Sequence, residues 1–188
     1  MRIFAVMFSA LLWLTGCASV TPEECVAGDW HMIGARDGSA GRVAQTQFDR
    51  HVNACSRVDI TPDRARWDAG YALGLESYCT PRRGLSEGEA GRLYRDVCPA
   101  ALESRFLRGY ELGLSAYRER QRIQELEREL SSLQRANSAL ASATQQQNSL
   151  QQWRANQSEI MFLRLQIGIA RTALSGIERE IRAFRATL

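Results

Sequence analysis

No proline follows Pro99, and no glycine stands between Gly113 and Gly168. Proline removes a helical hydrogen bond and glycine costs ~1 kcal/mol against alanine, so a stretch this long without either has long helices as its default. Ile123, Leu126, Leu130, Leu133, Asn137 and Leu140 recur at the a and d positions of one heptad frame. Trp153, Asn156, Ile160, Leu163, Ile167, Ala170, Leu174, Ile177, Ile181, Phe184 and Leu188 do the same in a second. The frames are offset by two residues, which neither a three- nor a four-residue insertion explains, so one uninterrupted coiled coil is disfavoured. An antiparallel hairpin over 118–188, with its tip near 144–149, accounts for both frames. Residues whose numbers sum to 293 then face each other: Ile123 and Ala170, Leu130 and Leu163, Asn137 and Asn156. Asparagine against asparagine is a known register device. The same sum brings Ile177 to Ala116 and Ile181 to Leu112, returning the C-terminal stripe to the segment before the hairpin. Parallel self-association through either helix is the alternative.

That preceding segment is duplicated. Gly38-Ser-Ala-Gly41-Arg42 matches Gly88-Glu-Ala-Gly91-Arg92, and Trp67-x2-Gly70-Tyr71-x-Leu-Gly74-Leu-x2-Tyr78 matches Phe106-x2-Gly109-Tyr110-x-Leu-Gly113-Leu-x2-Tyr117, in the same order. The units are 25–78 and 79–117. Thr61-Pro62-Asp63 and Cys98-Pro99-Ala100 each place proline at an expected first helical position. Gly70/Gly74 and Gly109/Gly113 then share a helix face one turn apart, and glycine in a helix interior needs a reason. Close backbone approach is the expected one: the two duplicated helices cross at these glycines, with Trp67, Tyr71, Tyr78, Phe106, Tyr110 and Tyr117 packed around them. A stripe of aromatics at helical spacing is more often core than ligand site.

The other end of the chain supplies an address. Met1-Arg2 precedes a run from Ile3 to Leu14 that only Ser9 interrupts, and Leu14-Thr15-Gly16-Cys17 follows. A spanning helix needs ~20 apolar residues, so this run reads as a signal peptide, residues 1–16. Leu-Thr-Gly-Cys resembles the lipobox of bacterial lipoproteins. The resemblance implies that Cys17 is acylated, that 17–24 is a lipid-anchored linker, and that Ala18, which is not Asp, sorts the protein to the inner leaflet of the outer membrane. Cys25, Cys55, Cys79 and Cys98 remain, an even number in an oxidising compartment. Two disulfides are the default over zinc, because no pair has Cys-x2-Cys spacing and His31 and His51 are isolated. Three connectivities are open, and equivalence of the units favours Cys25–Cys55 with Cys79–Cys98. Each bridge closes a short loop worth ~3 kcal/mol in the chain-entropy estimate.

Cys25-x2-Gly28-Asp29-Trp30-x2-Ile33-Gly34-x2-Asp37-Gly38-x2-Gly41, followed by Cys55, Gly70-x3-Gly74-Leu75-x2-Tyr78-Cys79, Gly84, Gly88-x2-Gly91-x2-Tyr94 and Cys98, resembles the bacterial lipoprotein family described as domain of unknown function 2799. The resemblance covers about 25–117 and implies an envelope lipoprotein domain without an assigned activity. The fold expected for the whole chain is all-α: a small disulfide-stapled duplicated helical domain followed by a long antiparallel coiled-coil hairpin.

Chemistry is sparse by comparison. The chain has no lysine among its 24 basic residues, which excludes a P-loop phosphate clamp, a Schiff-base enzyme and a lysine general base. A net charge of +3 gives no case for nucleic acid. Asp29, His31, Asp37 and His51 are the only acid–base set, and each has a structural explanation: Asp29 as a helix cap, Asp37-Gly38 as a turn, His51 as a half-buried residue of a helix from about Gly41 to Cys55. Arg42 and Arg92 are candidate anion contacts, although ion pairs within each unit account for them more simply. No enzyme, cofactor or metal is therefore expected. The favoured function is a lipid-anchored periplasmic structural or interaction protein, contacting the membrane through its anchor and an envelope protein or its own copy through the hairpin. The alternative is a binding module for an envelope glycan or lipid head group.

Overall fold

The computed structural model describes residues 19–142 and 147–188. The expected signal peptide, Cys17 and part of the expected hairpin tip lie outside them. The described residues are helical, with no strand among them: α1 (Pro22–Ala27), α2 (Trp30–Ser39), α3 (Ala44–Cys55), a 3₁₀ turn (Ser56–Val58), α4 (Arg64–Tyr78), α5 (Pro81–Glu89), α6 (Ala100–Ser142) and α7 (Gln147–Ala186). They form two compact units, one of residues 19–79 and 95–99, the other of 80–94 and 100–188.

In the first unit, Thr21 and Glu24 form a reciprocal capping box on α1, and Gly28 at φ +66° ends that helix. Asp29 caps α2 by accepting from Met32 N–H at 3.1 Å. Cys25–Cys55 ties α1 to the last residue of α3, and Cys79–Cys98 closes the second bridge. The central feature is the crossing of α2 and α4. A Cβ built on Gly34 would lie 2.1 Å from the Trp67 carbonyl oxygen, one on Gly38 2.2 Å from that of Tyr71, one on Gly70 1.9 Å from that of His31 and one on Gly74 2.2 Å from that of Ala35. The two backbones touch.

The second unit repeats this with α5 and α6. Cβ atoms on Gly84, Gly88, Gly109 and Gly113 would lie 2.1, 2.1, 2.1 and 2.4 Å from the carbonyl oxygens of Phe106, Tyr110, Pro81 and Leu85. Here the expectation needs correcting. The duplicated helices do not cross each other at their glycines; each crosses the preceding helix of its own unit, because Gly34/Gly38 and Gly84/Gly88 supply the matching small faces. Asp37 and Gly38 are accordingly inside α2 and not in a turn. The turn comes at Gly41, φ +63°, and at its counterpart Gly91, φ +66°. There the N–H groups of Arg42 and Arg92 close on the carbonyls of Asp37 and Glu87, a Schellman-type end. The rings of Tyr78 and Tyr117 cover the two glycines. Pro62 and Pro99 stand just before the helices rather than within them, with Asp63 capping α4 through Arg66 N–H. α3 begins at Ala44, after the Gly41 turn.

α6 runs 43 residues without a break and pairs antiparallel with α7. Ile123, Ile160, Leu163, Ile167 and Ala170 are buried along the seam. Two ion pairs fix the register: Glu127–Arg171 at 2.7 Å and Arg120–Glu178 at 3.3 Å, both summing to 298. An e residue follows its a by four and its d by one, so flanks of a core pairing at 293 must sum to 298. The hairpin register is therefore the expected one. At the far end of α7, Ile181 joins Leu85 and Ala116 in a cluster with Leu112, Leu174, Ile177 and Phe184.

Two outcomes follow. Gly34→Ala and Gly109→Ala should each lower the melting temperature by several degrees, since one methyl meets a carbonyl oxygen head-on and overpacking costs ~1–3 kcal/mol; unchanged melting would mean the crossings are slack. Truncation after Leu163 removes Leu174, Ile177, Ile181 and Phe184, each worth ~1.5–3 kcal/mol of burial. Calorimetry should then show loss of the transition that contains α5, whereas a truncated chain melting like the intact one would detach the tail from that core.

Candidate functional site

Among the described residues, a buried cluster of acid–base side chains forms where α2, α3 and α4 meet in the first unit. Asp37 lies on the inner face of α2 beside Gly34 and Gly38, and Gln47 and His51, four apart, lie on the inner face of α3. His51 is fully buried. Its Nε2 is 2.7 Å from Asp37 Oδ2, which also accepts from Trp67 Nε1 at 3.1 Å. Gln47 Nε2 donates to Asp37 Oδ1 at 3.2 Å. The remaining imidazole nitrogen, Nδ1, is 2.9 Å from Ser19 Oγ. With Nε2 carrying the proton toward the carboxylate, Nδ1 accepts from the Ser19 hydroxyl.

Serine, imidazole and carboxylate in series raise the question of nucleophilic catalysis. The geometry answers it. Both imidazole nitrogens are engaged, the ring has no exposed face, and Asp37 carries three donors from Trp67, Gln47 and His51. A catalytic triad also engages both nitrogens, so what sets this series apart is its burial: His51 is fully buried and Asp37 is 4% exposed. It is a satisfied buried network, the condition under which polar groups in a core add rigidity instead of cost.

Tyr71 borders the cluster, stacked on Trp67 at 4.8 Å between centroids. Its hydroxyl donates to the Arg42 carbonyl at 2.5 Å. Burial first, and the negative charge of Asp37 second, push its phenol up to about 12.

The other residues singled out from sequence do not join the cluster. Asp29 is spent on its cap, and the His31 side chain is exposed. Arg42 is exposed, and it is its backbone that the fold uses. Arg92 is the counterpart, with its carbonyl accepting from Tyr110 and its guanidinium bound twice to Glu87, at 2.5 and 3.1 Å. Glu87 occupies in the second unit the place of Asp37 and also pairs with Arg83 at 2.9 Å. The aromatic side chains Trp67, Tyr71, Tyr78, Phe106 and Tyr110 are buried, so they offer no stacking face to a sugar. No group of His, Cys, Asp or Glu suited to hold a metal occurs among the described residues. Ser19 and Gln47 went unnoticed in the sequence. Gln47 had a signal in its i, i+4 spacing from His51; Ser19 had none.

A second polar feature lies in the hairpin, where Gln134, Asn137, Ser138, Trp153, Gln157, Ile160 and Arg164 line an open groove of about 390 Å³. Asn137 is 5% exposed and its Oδ1 has no hydrogen-bond partner among the described residues, so that oxygen is not satisfied by the expected asparagine pairing.

Residues 29–115 match the model of a family described as protein of unknown function (DUF2799), which is the resemblance read from the glycine and cysteine pattern. No curated protein and no solved structure matches the chain.

Asp37→Ala should destabilise the protein by ~3–5 kcal/mol, because it strands donors of His51, Trp67 and Gln47 in the core; a loss under 1 kcal/mol would show the network to be incidental. Since the Tyr71 phenol is raised above its ordinary value in the folded state, its contribution to stability is intact below pH ~10 and is lost as pH rises toward 12. Ultraviolet titration should therefore show a late tyrosine ionisation that Tyr71→Phe removes.

Proposed function

We propose that this chain, whose residues 29–115 match the family model described as protein of unknown function (DUF2799), is a lipid-anchored lipoprotein of the bacterial envelope that acts by protein contact rather than by catalysis. The observation that carries the contact role is the outer face of α7. Met161, Phe162, Leu165 and Ile169 are 58–70% exposed there, on a helix whose opposite face is buried against α6. Apolar side chains grouped on one exposed helix face mark an interaction site. The address is supported by Leu14-Thr15-Gly16-Cys17 after the apolar run and by two disulfides, which persist in exported proteins. Acylation at Cys17 with more than one chain suffices for stable anchoring, at ~0.8 kcal/mol per buried CH₂. Ala18 favours delivery to the inner leaflet of the outer membrane, with the folded units in the periplasm. The burial of the serine–histidine–carboxylate series found among the described residues supports a reading without catalysis.

Fractionation tests this directly. The wild type should sediment with outer membrane, and Cys17→Ala should appear in the soluble periplasm or remain unprocessed in the inner membrane. A wild-type protein that is soluble in the periplasm would overturn the anchor.

A further inference from the structure

The exposed residues of α7 are not scattered. Ala155, Ser158, Phe162, Leu165, Ile169 and Thr172 are exposed and, with half-buried Gly176, recur at alternating spacings of three and four over three heptads. This is a second a/d seam, displaced by two residues from the one that packs on α6. At 100° per residue the displacement places it on the far side of the helix. Phe162 and Ile169 take a positions, Leu165 takes d, and the buried Ile160, Leu163, Ile167 and Ala170 fall at the b and f positions of this outer frame. Thus α7 is apolar on two opposed faces, only one of which has a partner among the described residues.

Gly168 adds an independent sign. Every glycine within α2, α4, α5 and the first turns of α6 meets a facing backbone, whereas a Cβ on Gly168 would find nothing within 4 Å. Glycine in a helix interior costs ~1 kcal/mol, and here no contact among the described residues explains it. In the outer frame Gly168 sits at g, next to the seam, facing position e of an opposing helix.

We infer that a second copy of this chain covers this face, with the two α7 helices side by side and parallel. Three features select that occupant. Ile169 at a beside Leu165 at d suits a two-stranded parallel coil. Between parallel copies g pairs with the e five residues later, which sets Arg154 against Glu159 of the other copy, opposite charges occurring twice, and Gly168 against Ala173, small against small. In an antiparallel pairing g faces g and e faces e, so Arg154 and Glu159 never meet: with Phe162 opposite Leu165 they face Ser175 and Ala173, and with Phe162 opposite Thr172 they face Arg182 and Glu180, like with like. The third feature rests on the lipoprotein reading proposed above: chains anchored in one leaflet enter from the same side. A lipid surface is the competing occupant, as Ser149–Ala186 is long and apolar enough to cross a membrane by composition. It would leave Arg154, Glu159 and the bare Gly168 without a purpose.

Cysteine substitutions in the full-length chain, expressed in its own envelope, test the pairing. Phe162→Cys, Leu165→Cys and Thr172→Cys should each give a disulfide-linked homodimer on non-reducing gels, and Arg164→Cys, turned away from the seam, should not. Phe162 and Thr172 are ten positions apart, about 15 Å along a helix. Antiparallel packing would therefore link them only when both variants are co-expressed, and that outcome overturns the parallel arrangement. In the Leu165→Cys background, Arg154→Glu should cut dimer yield about fivefold by replacing two attractions with two repulsions, and adding Glu159→Arg should restore it, a rescue that a folding defect cannot produce. Adducts dominated by another protein, or labelling of Phe162 by a lipid-soluble photoreagent in place of crosslinking, would overturn the homodimer. Fractionation of the same cells reads the anchor separately, so a failed dimer and a failed anchor are distinguishable.

Discussion

Both units depend on helix backbones in direct contact. At each of eight glycines the space a side chain would start to fill is held by a carbonyl oxygen of the facing helix, at 1.9–2.4 Å from the missing Cβ. Such contact points a Cα–H at an acceptor, a weak attraction that recurs at close helix crossings. The glycines weaken their helices by ~1 kcal/mol each, a sum comparable with a domain's whole stability. What offsets it is the burial that close approach permits. Trp67 and Phe106 are wholly buried, with Tyr71, Tyr78 and Tyr110 nearly so, and the tyrosine hydroxyls of 71 and 110 reach the carbonyls that follow the Gly41 and Gly91 turns. Aromatics of that size fit because the backbones they flank are so near.

The two copies keep this crossing and differ around it. Gly41 and Gly70 are 29 positions apart, Gly91 and Gly109 only 18, so the first unit holds eleven more residues between turn and crossing helix. Those residues include most of α3, and α3 supplies Gln47, Phe48 and His51. A carboxylate stands at the same place in both copies, three residues after the first crossing glycine. In the first it is enclosed by His51, Gln47 and Trp67; in the second, where Phe106 replaces Trp67 and has no N–H, two arginines satisfy it from nearer the surface. One structural demand, a partner for a carboxylate beside a helix crossing, is met once by insertion and once by arginine.

The hairpin was legible to the residue because everything that sets it is local to a helix: heptad spacing, charge sign, and one constant sum relating the two strands of the pair. Glu127–Arg171 and Arg120–Glu178 obey it. The glycine crossing was half legible. Gly70/Gly74 and Gly109/Gly113 announce close approach, but Asp37-Gly38 reads as a turn and Gly88 only as its repeat counterpart, which hides the pairs Gly34/Gly38 and Gly84/Gly88 and misassigns the facing helix. The polar cluster was half legible as well. Asp37 and His51 were singled out as chemistry-bearing residues, yet their bond spans 14 positions and that of Ser19 to His51 spans 32, separations over which no periodicity operates.

The bond from Ser19 to His51 has a mechanical consequence. Val20 is 3% exposed and Ser19 is held by a core imidazole, so the first unit fixes its chain at that point. On the proposed anchor at Cys17, only Ala18 intervenes, a leash of at most about 7 Å at ~3.6 Å per residue. A folded body moored that closely would not sweep a compartment in search of contacts. If the proposed anchor holds, such a body would drift with its lipid, and its encounters would take place in two dimensions.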